Sequence, residues 1–368
     1  MPPIISLRGG SAQAVWGSLL YNEGMDIKQG VSLAGYSTMG LGGSAAYLVA
    51  VTSPDEVTKA LAWARERQLS AVMIGDGSNI IWSDAGYSGL VLVDRIRGYE
   101  TRQEDKTHIL LTLGSGEPWD KVVERSVKAG LTGIEALSLV PGTAGATPIQ
   151  NVGAYGQEIS QILVSVEAYD TQSRNFVTLG GDECGFGYRS SRFKTTDHGR
   201  FFITALTLRL TKGSPQPPFY ASVQTYFEEH GITEYTPAAL RQAVVAIRTH
   251  KLPDPAVIHN TGSFFANPIV EQSKFKELSD QYSSLPHWPT KEDRVKLSAA
   301  WLIEQAGFKD YHDKDTGMAT WPRQALVLIN EHAKSTADLL AFKQKIVEAV
   351  SAKFGIALEQ EPESMPIG

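Results

Sequence analysis

The sequence predicts an α+β protein that divides into two or three domains. Its 368 residues exceed the length at which a single hydrophobic core keeps growing. In the first third of the chain a helical pattern lies between short apolar segments, which indicates a β-α-β unit. Farther along, residues 200–210 end in leucines that alternate with polar residues, as in a half-buried antiparallel strand. A mixed architecture with both strand types is therefore expected.

The β-α-β unit begins with a clear helix signal. Ser53 is suited to the N-cap, Pro54 to the first helical position and Glu56 to a capping box. A buried strand is predicted at residues 71–74, and it runs into the turn GDGSN at residues 75–79. The two glycines of this turn allow backbone N–H groups to converge on an anion such as a pyrophosphate. A plain tight turn is the alternative, because the third glycine of a dinucleotide fingerprint and the lysine of a P-loop are absent.

The other elements are predicted from apolar periodicity and from capping or stop residues. Strands are expected at residues 80–82, 89–93, 108–113, 161–169, 175–179, 200–210, 324–330 and 356–363. Helices are expected at residues 117–129, 237–249, 296–306 and 335–354, and residues 211–219 have the composition of a linker. We therefore divide the chain into an N-terminal extension (1–28), a first unit (29–97), a second unit (98–214), a third domain (215–363) and a C-terminal tail (364–368).

Residues 133–158 form a long stretch rich in glycine and poor in charge. Glycines at positions 142, 145, 153 and 156 allow the main chain to approach a ligand closely, and Thr147, Gln150 and Asn151 offer neutral hydrogen-bonding groups. A flat cofactor with polar edges is the ligand that this composition favours. The alternative is a glycine-rich connection, but loops of this length within compact domains are uncommon unless they have a function.

Composition limits the possible partners and the compartment. The formal charge of −6 gives no broad electrostatic surface for nucleic acid or for an anionic membrane. The single cysteine, Cys184, excludes an internal disulfide and fits a reducing compartment. The N-terminus lacks the features of a secretory signal, and no apolar run is long enough to cross a bilayer. We expect a cytoplasmic monomer without a metal site; a calcium loop from Asp313 fails because its twelfth residue is Gln324.

The segment from Lys251 to Pro268 looks built to enter a pocket. Two prolines flank Asp254, and Gly262 precedes Ser263, so the Ser263 hydroxyl could lie on a pre-set loop that Phe264 and Phe265 anchor. The alternative is that this serine only satisfies a turn. A serine hydrolase that pairs Ser263 with His259 is disfavoured, because the Gly-x-Ser-x-Gly elbow is missing.

The chain resembles the UDP-N-acetylenolpyruvoylglucosamine reductase (MurB) family over roughly residues 36–363. Five motifs carry the resemblance and follow one another in the same order as in that family: GDGSN, PIQNVGAYG, GYRSSRFK, NTGSFFANP and LEQE. The resemblance implies a two-part FAD-binding fold of the vanillyl-alcohol oxidase type, closed by the complete third domain of the larger subgroup. It further implies that NADPH reduces the flavin, which then reduces UDP-N-acetylglucosamine enolpyruvate to UDP-N-acetylmuramate for peptidoglycan synthesis. Another FAD-dependent oxidoreductase of the same fold, such as a sugar or alcohol oxidase, is the alternative.

The resemblance also assigns residues. Arg189 would hold the substrate carboxylate as charge develops, Ser263 would donate a proton to the resulting carbanion, and the glutamate of the trio is Glu361, with Glu363 left open. Cofactor contacts are expected at Gly75, Asp76, Gly77, Ser78, Asn79, Pro141, Gly142, Gly145, Thr147, Gln150, Asn151, Gly153, Ala154, Tyr155 and Arg248. Substrate contacts are expected at Tyr188, Tyr220, Lys251, Asn267, Lys296 and Gln324. The chain departs from the family at Ser37 and at Thr261, where asparagine and a smaller residue are usual.

Overall fold

The computed structural model describes residues 25–290 and 292–366, so most of the predicted N-terminal extension lies outside the described residues. The first region contains β1 (Lys28–Ser32), β2 (Ser44–Val51), α1 (Pro54–Glu66), β3 (Ala71–Ile74), β4 (Ile80–Trp82) and β5 (Tyr87–Asp94). Its sheet has the order β1-β2-β5-β3, in which β2, β5 and β3 are parallel and β1 is antiparallel. The predicted β-α-β unit is therefore present, with α1 as its crossover helix.

The predicted cap of α1 is confirmed with one change of partner. The Ser53 hydroxyl accepts a hydrogen bond from the Glu56 N–H at 3.3 Å. The Glu56 carboxylate, however, accepts from the Thr52 N–H at 2.6 Å. Both interactions satisfy N–H groups at the start of the helix that have no partner within it.

The second region is dominated by an antiparallel sheet. It contains β6 (Tyr99–Gln103), β7 (His108–Gly114), α2 (Trp119–Lys128), β8 (Leu131–Thr132), β9 (Gly153–Ala154), β10 (Gln157–Glu158), β11 (Leu163–Asp170), β12 (Asn175–Gly180) and β13 (Phe201–Lys212). The strand order is β12-β11-β13-β7-β6, and β8 pairs with β13. The core of this region is closed by α2, whose Trp119, Val122 and Val123 are fully buried against it.

The third region combines helices with two small sheets. It contains α3 (Ala221–Glu229), α4 (Pro237–Lys251), β14 (Asn260–Ser263), β15 (Ile269–Glu271), α5 (Gln272–Gln281), β16 (His287–Pro289), β17 (Arg294–Leu297), α6 (Ala299–Gln305), β18 (His312–Asp313), β19 (Met318–Trp321), β20 (Gln324–Asn330), α7 (Thr336–Phe354) and β21 (Glu363–Met365). The sheets have the orders β14-β20-β19-β18 and β15-β17-β16. Phe264 and Phe265 are fully buried in the core of this region, as anchors should be.

One predicted element is wrong, and two have different bounds. Residues 356–362 form no strand; β21 follows them and pairs in parallel with β4, so the predicted C-terminal tail is partly a strand. The helix predicted at 296–306 begins only at Ala299, because the Ser298 hydroxyl caps it by accepting from the Trp301 N–H at 3.2 Å, and Lys296 lies on β17. The predicted linker at 211–219 is shorter than expected, since β13 continues to Lys212. No helix among the described residues is long and apolar enough to cross a membrane.

Candidate active site

A cavity of about 1160 Å³ lies between the three regions. Its walls are formed by the turn at residues 75–79, the glycine-rich loop, the segment at residues 188–189, the strand β14 and the C-terminal segment. Every residue predicted to contact cofactor or substrate lines this cavity, with the exception of Asn151. The predicted site residues, which are spread over almost the whole sequence, therefore converge on one space.

The turn at residues 75–79 is joined to the glycine-rich loop. Gly77 has φ +68°, and a Cβ atom there would lie 2.1 Å from the Tyr36 carbonyl oxygen, so only glycine fits. The Ser78 hydroxyl donates to the Pro141 carbonyl oxygen at 3.3 Å, and Asn79 Nδ2 donates to Gln150 Oε1 at 2.9 Å. These cross-links hold two uncharged, glycine-containing backbone segments beside each other at the cavity wall.

Asn151 differs from the other predicted cofactor residues, because it does not line the cavity. It is almost fully buried, and its Nδ2 donates to the Gly187 carbonyl oxygen at 3.1 Å. Its Oδ1 accepts from the Ser160 N–H at 3.0 Å. The side chain therefore fastens the glycine-rich loop to the segment that carries Arg189, and its amide is used within the protein. Thr147 lines the cavity, but its hydroxyl donates to the Ala144 carbonyl oxygen at 2.7 Å.

Arg248 brings a positive charge from α4 to the glycine-rich loop. Its Nη2 donates to the Leu139 carbonyl oxygen at 3.2 Å, while its buried Nε has no partner among the described residues. Burial lowers the pKa of Arg248, and the neighbouring Tyr155 opposes this shift. Tyr155 also packs edge-on against Tyr220, with ring centroids 5.6 Å apart. A partly unpaired guanidinium in a cavity wall is a suitable partner for a phosphate group.

Arg189 and Glu361 form an ion pair inside the cavity. Arg189 Nε lies 3.2 Å from Glu361 Oε1, and its Nη2 donates to the Gly153 carbonyl oxygen at 2.7 Å. Burial raises the pKa of Glu361, and the positive charge of Arg189 opposes that shift. Arg189 also has φ +52°, a conformation that costs a residue with a side chain on the order of 1–3 kcal/mol and that occurs often at functional sites.

Ser263 lies on the edge of β14 beside this ion pair. Gly262 has φ +72°, and the pairing of β14 with β20 changes register between Asn260 and Ser263. The next residue, Phe264, accepts from the Glu361 N–H at 2.9 Å through its carbonyl oxygen. Ser263 lines the cavity, and its hydroxyl makes no hydrogen bond to another described residue. The interpretation of Ser263 as a mere turn residue is therefore not favoured.

Aromatic and basic side chains surround the same corner. Lys296 Nζ lies 4.9 Å from the centre of the Tyr188 ring, and burial together with the charge of Arg189 lowers the pKa of Lys296. The Asn267 Oδ1 accepts from the Ala299 N–H at 3.0 Å at the start of α6. Gln324 and Lys251 also line the cavity, and burial lowers the pKa of Lys251.

The two candidate glutamates have different partners. Glu363 pairs with His198, whereas Glu361 pairs with Arg189. Both pairs line the cavity, and His198 was not predicted from the sequence, which contains no local signal for it. Asp94 was also missed: it lines the cavity at the end of β5, and burial raises its pKa to about 6. A signal existed here, because the carboxyl ends of parallel strands such as β3 and β5 meet at one edge of a sheet.

This fold and this cavity belong to a flavin-dependent oxidoreductase. The family model of the FAD-binding domain matches residues 45–178, and that of the UDP-N-acetylenolpyruvoylglucosamine reductase C-terminal domain matches residues 254–365. The reductase of Alcanivorax borkumensis is 41% identical over 335 residues, which cover 91% of this chain and 95% of the relative. The reductase of Pseudomonas aeruginosa is 37% identical over 338 residues, covering 92% and 98% of the two chains.

The chain belongs to the UDP-N-acetylenolpyruvoylglucosamine reductase family. A solved structure of this reductase from Thermus caldophilus has a TM-score of 0.65, with 22% identity, and the match covers 93% of this chain and all of that one. The family, the fold class and the use of FAD that the sequence predicted are therefore confirmed.

Proposed function

We propose that this chain reduces UDP-N-acetylglucosamine enolpyruvate to UDP-N-acetylmuramate with NADPH, a step of peptidoglycan precursor synthesis. Family membership supports the substrate class. The observation that carries the chemistry is that Ser263, Arg189 and Glu361 line one cavity together with the glycine-containing segments. When bound, FAD accepts a hydride from NADPH and transfers it to the carbon–carbon double bond of the substrate.

The residues at the cavity wall fit FAD. Backbone of the turn at residues 75–79 and of the loop around Pro141 and Gly142 offers uncharged groups for a pyrophosphate. At Gly142, with φ +111°, a Cβ atom would lie 3.1 Å from Ser78 Oγ and would narrow this space. The unpaired Nε of Arg248 supplies positive charge at the same loop. The remaining contacts are assigned to Gly75, Asp76, Gly77, Asn79, Gly145, Thr147, Gln150, Gly153, Ala154 and Tyr155.

Arg189 holds the carboxylate of the enolpyruvyl group. Hydride addition to the outer alkene carbon places negative charge on the adjacent carbon and on this carboxylate, so a guanidinium stabilises the transition state more than the ground state. Glu361 occupies the Nε side of Arg189 and Gly153 accepts from Nη2, which fixes the orientation of the guanidinium plane. Further N–H groups of the guanidinium are left for the substrate.

Ser263 donates the proton that completes the reduction. A hydroxyl is a weak acid in water, but a positioned hydroxyl protonates a strongly basic carbanion within a closed site. The Ser263 hydroxyl lines the cavity and has no hydrogen-bond acceptor among the described residues, which leaves its proton available for this role. We assign substrate binding to Tyr188, Tyr220, Lys251, Asn267, Lys296 and Gln324, and the diphosphate contact among them to Lys251.

We also propose that the protein acts as a cytoplasmic monomer. The buried Cys184 thiol, whose pKa burial raises to about 11, is an unreactive group and needs no oxidising compartment. Size-exclusion chromatography with light scattering tests whether the protein is a monomer, and a mass of two chains would contradict it.

The alternative function, an oxidase of the same cofactor-binding fold, has no evident use for Ser263 beside Arg189.

The proposed reaction is tested by product analysis. Purified protein should be yellow, and it should consume one NADPH for each UDP-N-acetylmuramate that mass spectrometry detects after addition of the enolpyruvyl substrate. Without that substrate, NADPH consumption should stay near the background rate. A colourless protein, or turnover of sugars or alcohols with oxygen in place of this product, would contradict the proposal.

A further inference from the structure

A second depression adjoins the active-site cavity. This outer pocket, with a volume of about 510 Å³, is lined by Tyr226, Glu229, Ala246, Ile247, His250, Lys251 and Arg323. Ile247 and Lys251 line both the outer pocket and the cavity, so the two spaces meet at these residues. A ligand that is bound at Lys251 can therefore extend into the outer pocket.

The turn between β19 and β20 joins the two spaces from the other side. Arg323 lines the outer pocket, whereas the adjacent Gln324 lines the cavity. The turn is fastened to the end of α4, because Arg323 Nη1 donates to the His250 carbonyl oxygen at 2.7 Å and Trp321 Nε1 donates to the Lys251 carbonyl oxygen at 3.1 Å. These two bonds cover carbonyl groups at a helix C-terminus that would otherwise repel an anion.

The outer pocket has an excess of basic groups. Arg323, Lys251 and His250 face one acid within the lining, Glu229. Glu304 also acts on the charge of Lys251 from outside the pocket, but no carboxylate in the described part of the chain forms a salt bridge with Lys251 or Arg323. Tyr226 and Ile247 add aromatic and apolar surface beside these charges. Guanidinium and ammonium groups beside such a surface are the combination that binds the phosphate of a nucleotide.

We infer that the outer pocket binds a phosphate group of a nucleotide substrate, with Arg323 as the specificity-determining residue. The inference rests on the proposed function, because both proposed substrates are nucleotides that enter the cavity in turn. Two phosphates qualify: the 2′-phosphate that distinguishes NADPH from NADH, and the diphosphate of the UDP-sugar. They share one chemistry, and binding measurements can separate them.

The test uses Arg323→Gln and three probes: NADPH, NADH and UDP alone. Flavin bleaching under anaerobic conditions gives the apparent dissociation constants of the two reductants, and calorimetry gives that of UDP. Loss of one exposed charge–phosphate contact should weaken binding about threefold to fivefold, less so at high salt because the pocket is open to solvent. Weaker binding of NADPH alone assigns the 2′-phosphate, and weaker binding of UDP assigns the diphosphate.

Two further variants serve as a matched control and as a second test of the outer pocket. Arg102→Gln removes the same charge from an exposed position on strand β6 that lines neither space, and it should bind all three probes as the wild type does. His250→Glu adds a negative charge to the pocket while the backbone carbonyl that accepts from Arg323 is kept, so it should weaken binding even if Arg323→Gln unfolds.

The inference is overturned if His250→Glu and a folded Arg323→Gln both bind all three probes within about twofold of the wild type. That result is distinct from failure of the proposed function. If the function were wrong, the wild type itself would fail to reoxidise its flavin with the enolpyruvyl substrate, whatever the Arg323 variant does.

Discussion

The two walls of the active-site cavity consist of different kinds of residues. The glycine wall, residues 75–79 and 141–155, presents backbone and side chains that are neutral apart from Asp76, and bonds such as that from Asn79 to Gln150 tie its two segments together. The charged wall, formed by Tyr188, Arg189, Ser263, Lys296 and Glu361, holds ionisable groups whose pKa values burial shifts. The comparison suggests that the glycine wall determines shape and cofactor binding, whereas the charged wall determines the reaction.

The largest effect is expected from Ser263→Ala on the charged wall. Loss of a positioned general acid should slow flavin reoxidation by the enolpyruvyl substrate by a factor of about 10²–10⁴. Reduction of the flavin by NADPH should keep its rate, because that half-reaction needs no proton from Ser263. Rapid mixing measures the two halves separately. If Ser263→Ala slowed flavin reduction and flavin reoxidation equally, the charged wall would have no specific role in the second half-reaction.

Gly77→Ala is the corresponding test of the glycine wall. Its new Cβ would lie 2.1 Å from the Tyr36 carbonyl oxygen, so we expect a loss of about 3 kcal/mol of unfolding free energy or more, together with weaker FAD binding. Gly30→Ala is the matched control, since Gly30 has φ +61° but nothing within 4 Å of its Cβ position. It should cost only about 1–2 kcal/mol. Denaturant unfolding and FAD titration measure both, and equal costs would refute the packing argument.

The next largest effect is a difference in flavin reoxidation rate between substitutions of Glu361 and of Glu363. Glu361→Gln should slow flavin reoxidation by roughly tenfold to a hundredfold, because Arg189 loses its charged partner in a largely buried site. Glu363→Gln should change that rate less than about threefold, since its carboxylate pairs with His198. Single-turnover kinetics under anaerobic conditions compare the variants. A larger effect at Glu363 would exchange the roles of these residues.

The smallest effect is a pH dependence of stability. Burial raises the pKa of Glu361 above 4.5, so the stability that this group contributes is fully present below pH 4.5 and is lost as the pH rises through the raised value. Glu361→Gln stays neutral, and its Tm should therefore rise relative to the wild type between pH 4.5 and pH 8, by on the order of 1 °C. Ser263→Ala, which removes no titratable group, should keep a constant difference from the wild type. A relative fall of Glu361→Gln would contradict the sign.

Local chemistry explains which elements could be predicted from the sequence. Helices α1, α4 and α7 begin where Ser53, Thr236 and Ser335 accept hydrogen bonds from N–H groups of the first turn. The glycines at positions 75, 77 and 142 predicted that the backbone approaches a ligand there. This could be predicted because the missing side chain is a property of the single residue. The partners of side chains were harder to predict. An asparagine in a glycine-rich loop looks the same in the sequence whether its amide binds a cofactor or, as Asn151 does, the Gly187 carbonyl oxygen.

The choice between Glu361 and Glu363 depended on a contact between distant parts of the chain. A two-residue period would put both side chains on one face of a strand. Instead, residues 356–362 form only an isolated bridge, between Gln360 and Phe265, and β21 begins at Glu363, where it pairs with β4 from the first region. No local pattern encodes that pairing, so the neighbours of the two carboxylates could be assigned only from the structure.

The most direct measurement is an anaerobic two-step absorbance experiment on the wild-type protein. NADPH should bleach the flavin band in the blue, and addition of UDP-N-acetylglucosamine enolpyruvate without oxygen should restore it with formation of UDP-N-acetylmuramate. A band that stays bleached until oxygen is admitted would contradict the proposed reaction and would favour an oxidase.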